Sequence, residues 1–174
     1  MRNFRTLSKL IILSLILFAC EKNNDDNSLN HESLDFLLKA EKDGESWVAT
    51  KTWSYFNKKY DKFTLSGAME DSVYFQEEAL NIFIDNKKIV IGEKLRDFDA
   101  KLSFIIGGDG VALRYEKTEN IEESYIIIKE LDTANNRIRG EFEIRLKDKR
   151  NTDEYYMNLK KGDFNLPYED TDTY

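Results

Sequence analysis

The 174-residue sequence has one cysteine, one histidine and one proline, and these shortages exclude several kinds of protein. A single cysteine forms no internal disulfide, so the chain is not a disulfide-stabilised scaffold. A zinc site needs clustered cysteine and histidine ligands, which this composition does not supply. The histidine, His31, stands in a polar stretch near the N-terminus. A base on a mobile linker would lose the positioning that Ser-His-Asp or Cys-His catalysis requires.

Basic residues and long apolar runs are also scarce. The chain has 26 basic and 33 acidic residues, a formal charge of −7, which becomes −10 when Arg2, Arg5 and Lys9 of the leader are set aside. Such a chain repels phosphate backbones, so we expect no nucleic-acid partner. The apolar run from Leu10 to Phe18 is too short to span a hydrocarbon core of ~30 Å, which takes about 20 helical residues.

Residues 1–19 are predicted to be a signal peptide, because a basic start, a short apolar centre and a small final residue are typical of secretory signals. Leu17-Phe18-Ala19-Cys20 resembles the lipobox of bacterial lipoproteins. The resemblance implies that the Cys20 thiol is lipidated, that the chain is cut before Cys20, and that the new amino terminus is acylated. Two or more acyl chains anchor a protein durably. The alternatives are an ordinary signal peptide, or a short buried helix with a chance cysteine.

Residues 20–32 are predicted to be a flexible acidic tether, because their Asn, Asp and Ser side chains cannot bury enough apolar surface to offset the entropy of ordering. Glu21, Asp25 and Asp26 around Lys22 resemble the acidic signals that send lipoproteins of Bacteroidota to the outer face of the outer membrane. The resemblance implies a surface-exposed, lipid-anchored protein of a Gram-negative bacterium. The alternative is a solvated linker without an export role.

Residues 33–174 are predicted to form a single β domain. In "RIRGEFEIRL", residues 137–146, apolar residues and glycine alternate with charged ones, which indicates an antiparallel strand with one face in water. Residues 124–132 are β-branched and apolar, and the turn residues 133–136 lie between these two strands. These three segments together predict a β-hairpin.

The other segments give the same fold class. Strands are predicted around an Asp43-Gly44 turn, with a helix over 33–42 as the rival interpretation. Residues 93–100 are predicted to be a short helix or an irregular crossing. The remaining predicted strands lie at 62–69, 79–92 with a turn at Asp85-Asn86, 101–117 with a turn at 107–110, and 154–168. We therefore predict an all-β protein, an antiparallel β-sandwich or flattened barrel of about eight to ten short strands.

This layout resembles small Bacteroidota outer-membrane lipoproteins that have an all-β domain and no assigned activity. The motifs behind the resemblance are Asp43-Gly44 followed by Trp47, Gly140-Glu141-Phe142, and Gly162-Asp163-Phe164. They are structural glycines and core aromatic residues. The resemblance implies an all-β domain on a lipid anchor, and it transfers no catalytic residue.

Trp47, Trp53 and Tyr55 are the candidate ligand-contact residues, because their positions share parity and an unbroken strand would place them on one face. An exposed aromatic strip suits a glycan or an envelope protein, whereas the alternative is that these side chains fill the core. We predict a non-enzymatic binding or accessory protein of the outer membrane, without cofactor or metal. The two alternative functions are a lipocalin-like carrier of an apolar ligand and a small envelope hydrolase that uses two distant carboxylates.

Overall fold

A computed structural model describes residues 37–71, 76–106, 110–150 and 155–172. Cys20, the predicted signal peptide and the predicted tether lie outside these ranges. The described part is all-β, as predicted, with two single 3₁₀ turns at Asn86–Lys88 and Ile121–Glu123. The strands are β1 (Leu37–Lys42), β2 (Glu45–Val48), β3 (Lys51–Asn57), β4 (Lys62–Asp71), β5 (Gln76–Asp85), β6 (Lys94–Leu95), β7 (Asp99–Ile106), β8 (Gly110–Lys117), β9 (Tyr125–Asp132), β10 (Arg137–Asp148), β11 (Tyr156–Pro167) and β12 (Glu169–Thr171).

The twelve strands form one mostly antiparallel sheet in the order β12-β3-β4-β5-β7-β8-β10-β11-β1-β2, with β9 pairing with β10 and β6. Only the β12–β3 pair is parallel among the described strands. Strand pairing does not close this order, so the sheet is not a barrel. The strand count exceeds the expected eight to ten in part because β6 and β12 are only two and three residues long.

The sheet folds over on itself where β2 continues into β3. The Ala49 N–H donates to the Leu38 carbonyl at 2.9 Å, and the Thr50 N–H donates to the Ala68 carbonyl at 2.8 Å. Two successive residues therefore bond to β1 and to β4, on the two halves of the sheet. Tyr168 alone separates β11 from β12, so the chain crosses between the same halves a second time. This folding makes the inner surfaces of both halves face one core.

The core is a single hydrophobic cluster, to which most strands contribute every second side chain. On β10, Ile138, Phe142, Ile144 and Leu146 are buried, while the charged residues between them are partly or fully exposed, as the period-two pattern predicts. The largest fully buried side chains are Trp47, Phe142 and Phe164. Burial of large apolar side chains is the main stabilising contribution to such a domain.

The two Gly-x-Phe motifs pair with each other across β10 and β11. Gly140 lies opposite Phe164, and Phe142 lies opposite Gly162. A Cβ atom at Gly162 would stand 2.5 Å from the Phe142 ring, and one at Gly140 would stand 2.5 Å from the Phe164 ring. Each phenylalanine therefore fills the space over the other strand's glycine, an arrangement known to stabilise glycine within a sheet. This reciprocal packing explains why both motifs have the same spacing.

The predicted hairpins at 36–50, 101–117 and 124–146 are confirmed where they are described. Asp43 and Gly44 have φ values of 50° and 94°, the left-handed conformation that a two-residue hairpin turn requires. The rival prediction of a helix over 33–42 is wrong for its described part, because Leu37–Lys42 is strand β1. Its leucine spacing resembled a helix, but pairing with β2 and β11 determines the structure.

One further prediction near β5 is wrong, because residues 89–92 do not form the second strand of a hairpin. Residues 93–100 form the irregular crossing that was predicted as the alternative to a short helix, and they contain the short strand β6 and the start of β7. After the 3₁₀ turn the chain leaves β5 and reaches β9, where the Gly92 N–H donates to the Ile128 carbonyl at 2.9 Å. An isolated long-range bond of this kind leaves no pattern in the local sequence.

Candidate binding face

The three aromatic residues predicted as ligand contacts do not share a surface. Trp47 is 1% exposed and belongs to the core, as in the alternative interpretation. Trp53 and Tyr55 lie on β3, are partly exposed, and point away from the core, because Ser54 and Phe56 occupy the opposite side of the strand. The shared face required an unbroken strand, and the corner at Ala49–Thr50 breaks it.

Trp53 and Tyr55 belong to a surface that is uncharged across three strands. Strand register places Trp53 beside Ser66 and Asn81, and Tyr55 beside Thr64 and Phe83. Ala68 and Ala79 form the next pair along β4 and β5. We call this surface the neutral face, defined by the outward residues Trp53, Tyr55, Thr64, Ser66, Ala68, Ala79, Asn81 and Phe83.

The neutral face is a shallow depression, with small buried residues at its bottom and larger side chains around them. Ser66 and Ala68 are 0% exposed, and Ala79 is 6% exposed, although none of the three belongs to the main core cluster. Trp53, Tyr55, Phe83 and Asn81 are each partly exposed. The Ser66 hydroxyl donates to the Asn81 side-chain carbonyl at 2.8 Å. This hydrogen bond satisfies a buried polar group and fixes the orientation of the Asn81 amide.

Phe83 was missed by the sequence analysis because it stands among core residues. It stands between Ile82 and Ile84, both 0% exposed, in a mostly apolar run. Its opposite parity is the signal that could have placed it on the outer side. The ammonium of Lys101 lies 5.7 Å from the Phe83 ring centroid, within the range of a cation–π contact.

Charged residues surround the neutral face. Lys51 and Glu70 form an ion pair at one end of β3 and β4, and Lys62 stands opposite Asp85 at the other end. Lys101 and Asp99 on β7 limit the face on its third side. The uncharged area is therefore confined to the middle of three adjacent strands.

The opposite half of the sheet has an outer surface of a different kind. Its outward residues alternate in sign and pair across strands, and we call it the charged face. The pairs are Lys39–Asp163, Lys129–Glu141, Arg139–Glu130, Arg145–Glu123 and Lys161–Glu41. Most of these side chains are between one third and three quarters exposed, so the pairs contribute little to stability and mainly keep this surface in water.

Two carboxylates of the charged face stand close together. Glu141 and Asp163 are direct neighbours across β10 and β11, so their Cβ atoms are about 4.5–5.5 Å apart. Their side chains are 39% and 46% exposed, and each has a lysine partner. Catalytic carboxylates need surroundings that assign the acid role to one and the base role to the other. Glu141 and Asp163 have similar surroundings.

An ion pair between Lys42 on β1 and Glu78 on β5 lies between the two halves of the sheet, at one end of the core. The Lys42 ammonium donates to Glu78 Oε1 at 2.7 Å, their side chains are 18% and 16% exposed, and the ammonium lies 5.4 Å from the Phe104 ring centroid. Glu78 has the same strand parity as the core residues of β5. An apolar ligand entering the core from this end would have to displace a partly buried charge pair, which is costly.

Three further observations concern membranes, metals and known proteins. Across the described ranges, no helix is both long and apolar enough to cross a bilayer. Nowhere in the described part do three or more His, Cys, Asp or Glu side chains gather as a metal-binding group. Comparison of the chain with protein-family models, with characterised proteins and with solved structures finds no match.

Proposed function

We propose that this protein is a non-enzymatic lipoprotein of the bacterial outer membrane that binds a neutral glycan on its neutral face. The observation behind the proposal is the contrast between this face and the rest of the molecule. Charged residues make up 34% of the sequence, yet three partly exposed aromatic rings stand around an uncharged floor.

A neutral saccharide matches this surface chemically. One side of a pyranose ring presents C–H groups, which pack on the rings of Trp53, Tyr55 and Phe83. The hydroxyl groups at the edge of the sugar need a few fixed polar partners, and Asn81, oriented by Ser66, supplies an amide. Lys101 lies at the edge of the face, over the Phe83 ring, and Lys51 is paired with Glu70, so the face offers an anionic ligand little positive charge.

The envelope location rests on the N-terminal sequence. The lipobox ending at Cys20, the acidic residues after it, and the resemblance to Bacteroidota lipoproteins all support export and lipidation. A tether ahead of β1 would leave the domain free to reach saccharides beyond the bilayer.

Affinity electrophoresis of the soluble form, beginning at Leu29, tests the binding proposal. Neutral soluble polysaccharides in the gel should retard the protein, and an anionic polysaccharide should not. Trp53→Ala should weaken binding roughly 30-fold, the usual cost of truncating a central aromatic anchor. Tyr60→Ala is the matched control, because Tyr60 is 52% exposed on the turn after β3, outside the neutral face.

Two results would contradict the proposal. One is the absence of retardation by any neutral polysaccharide. The other is an equal loss for Trp53→Ala and Tyr60→Ala. If a protein co-purifies from detergent-solubilised native membranes in a Trp53-dependent way, the neutral face is a protein-binding surface instead.

A further inference from the structure

The described strands have a defined end at which the chain enters the domain. Leu37, the first residue of β1, pairs with Asn165 near the end of β11, and Arg137 at the start of β10 pairs with Pro167. Because β12 follows β11 and pairs with the last residues of β3, the turn after β3 lies at this end as well. We call it the entry end, defined by Leu37, turn 58–61, loop 86–92 and turn 133–136.

Three large apolar side chains are more than half exposed at the entry end. Tyr60 is 52% exposed, Val90 is 54% exposed and Ile91 is 53% exposed. Val90 and Ile91 are consecutive and precede Gly92, whose bond to β9 fixes their loop against the sheet. Other large apolar side chains of the described part, such as Ile106 and Tyr155, are equally exposed, so what distinguishes these three is their position at the end where the chain enters the domain.

Lysines flank these apolar residues on both loops. Lys58 and Lys59 precede Tyr60, and Lys87 and Lys88 precede the Ile89-Val90-Ile91 run. Three of the four have carboxylate partners: Lys58–Asp170 at 2.8 Å, Lys87–Asp61 at 3.9 Å and Lys88–Asp97 at 2.6 Å. These exposed pairs are weak, so the ammonium groups remain able to meet phosphate.

The two loops are joined to each other. The Asn86 N–H donates to the Asp61 carbonyl at 2.9 Å, and the Asn86 side-chain amide donates to the Asp61 carboxylate at 2.9 Å. The turn that carries Tyr60 is therefore bonded to the start of the loop that carries Val90 and Ile91.

We propose that the entry end rests on the lipid bilayer that holds acylated Cys20, with Tyr60, Val90 and Ile91 at headgroup level. This inference rests on the lipid anchor of the proposed function. Interfacial apolar side chains sit about 5–10 Å into the boundary between headgroups and acyl chains. Tyrosine favours that depth, and lysine extends its ammonium to the phosphates.

Because the lipid anchor already holds the protein at the membrane, a weak contact between the entry end and the bilayer is enough to orient the domain. Sixteen residues separate Cys20 from Leu37, and an extended chain of that length reaches about 55 Å. The tether therefore permits contact without enforcing it, while keeping the domain at a high effective concentration near the bilayer. The inserted side chains would fix one orientation of the domain. In that orientation the strands run away from the bilayer, and the neutral face stands roughly perpendicular to the membrane plane.

Cysteine labelling of the full-length lipoprotein tests the inference. Acylation consumes the Cys20 thiol, so a cysteine introduced by Ile91→Cys is the sole reactive thiol. Val111→Cys is the matched control, because Val111 is 46% exposed and lies at the opposite end, on β8. Each variant is labelled with an environment-sensitive fluorophore and inserted into vesicles of phosphatidylethanolamine and phosphatidylglycerol that contain a lipid-attached quencher.

The label at position 91 should shift to the blue and be quenched, and the label at 111 should do neither. A label in water at 91, equal quenching at both positions, or quenching at 111 alone would overturn the inference. Replacing Val90 and Ile91 by serine should reduce the shift of a label placed by Tyr60→Cys. These residues lie outside the core, and a thermal melt confirms that the variant is folded.

Vesicle flotation of the same samples separates the two proposals. If the protein floats and the label at 91 stays in water, only the bilayer contact is refuted. If the protein does not float, the lipid anchor fails, and the bilayer contact falls with it.

Discussion

The two outer faces of the folded sheet differ although the same sheet builds both. On the charged face, neighbouring strands present opposite charges, as in Lys129–Glu141 and Arg139–Glu130. On the neutral face the corresponding positions hold small, aromatic and amide side chains, among them Trp53 and Asn81. The solvated ladder of charges on one surface and its absence from the other are the contrast behind the proposed binding site.

The largest loss of stability is expected from a substitution on the inward side of β10. It tests whether the apolar residues of this strand face the core and its charged residues face the solvent. Phe142 is 1% exposed, so Phe142→Ala should leave a cavity and reduce the free energy of unfolding by roughly 3–5 kcal/mol. Glu143 points to the other side, so Glu143→Gln should change it by less than about 0.5 kcal/mol. Urea melts of the soluble form measure both. The reverse ranking would mean that the strand is flipped.

The next prediction concerns the reciprocal Gly–Phe packing beneath the charged face. Gly162→Ala places a methyl group against the Phe142 ring and should cost roughly 1–3 kcal/mol, because a buried ring has little room to move. In the Gly162→Ala background, Phe142→Ala should cost less than it does alone, since the new methyl group occupies part of the vacated space. Urea melts of the two single variants and the double variant give this coupling. Additive costs would contradict the reciprocal packing.

The sequence was sufficient to predict the parts of the fold that depend on local pattern. Period-two alternation indicated both sides of β10, and Asp43-Gly44 indicated its hairpin turn. The sequence could not predict which distant elements would meet. The opposition of Gly140 to Phe164, and the bond that draws Gly92 to β9, depend on strand register and on the path of a crossing segment.

The candidate site was predicted only in part for a related reason. Trp53 and Tyr55 were identified correctly as outward residues of one strand. The prediction that Trp47 shares their face was wrong, because the chain turns a corner at Ala49–Thr50. After the corner, the alternation of inward and outward residues starts anew. Phe83 and the Ser66–Asn81 bond come from β4 and β5, which the sequence analysis predicted as strands without assigning any of their residues to a site. A candidate binding face assembled from three strands becomes visible only when their register is known.

A smaller effect is expected at the floor of the neutral face. Ser66→Ala removes the hydrogen bond to Asn81 and should reduce the free energy of unfolding by roughly 1 kcal/mol. Asn81→Ala in the Ser66→Ala background should cost less than in the original chain, because the shared bond is already lost. Ser103→Ala, on the neighbouring outer row of β7, is the control. Independent costs would mean that the two side chains do not act together.

The smallest effect is expected on the charged face itself. Glu141→Gln removes one partner of the Lys129–Glu141 pair, whose side chains are 47% and 39% exposed, and should cost less than about 1 kcal/mol. Added salt should reduce even this difference, because it screens exposed charges within about one Debye length. Chemical melts at low and high salt measure both quantities. A cost larger than that of Ser66→Ala, and insensitive to salt, would mean that Glu141 and Asp163 form a dry site. A dry site is the low-dielectric environment that a pair of catalytic carboxylates needs, so this result would favour the alternative function of a hydrolase.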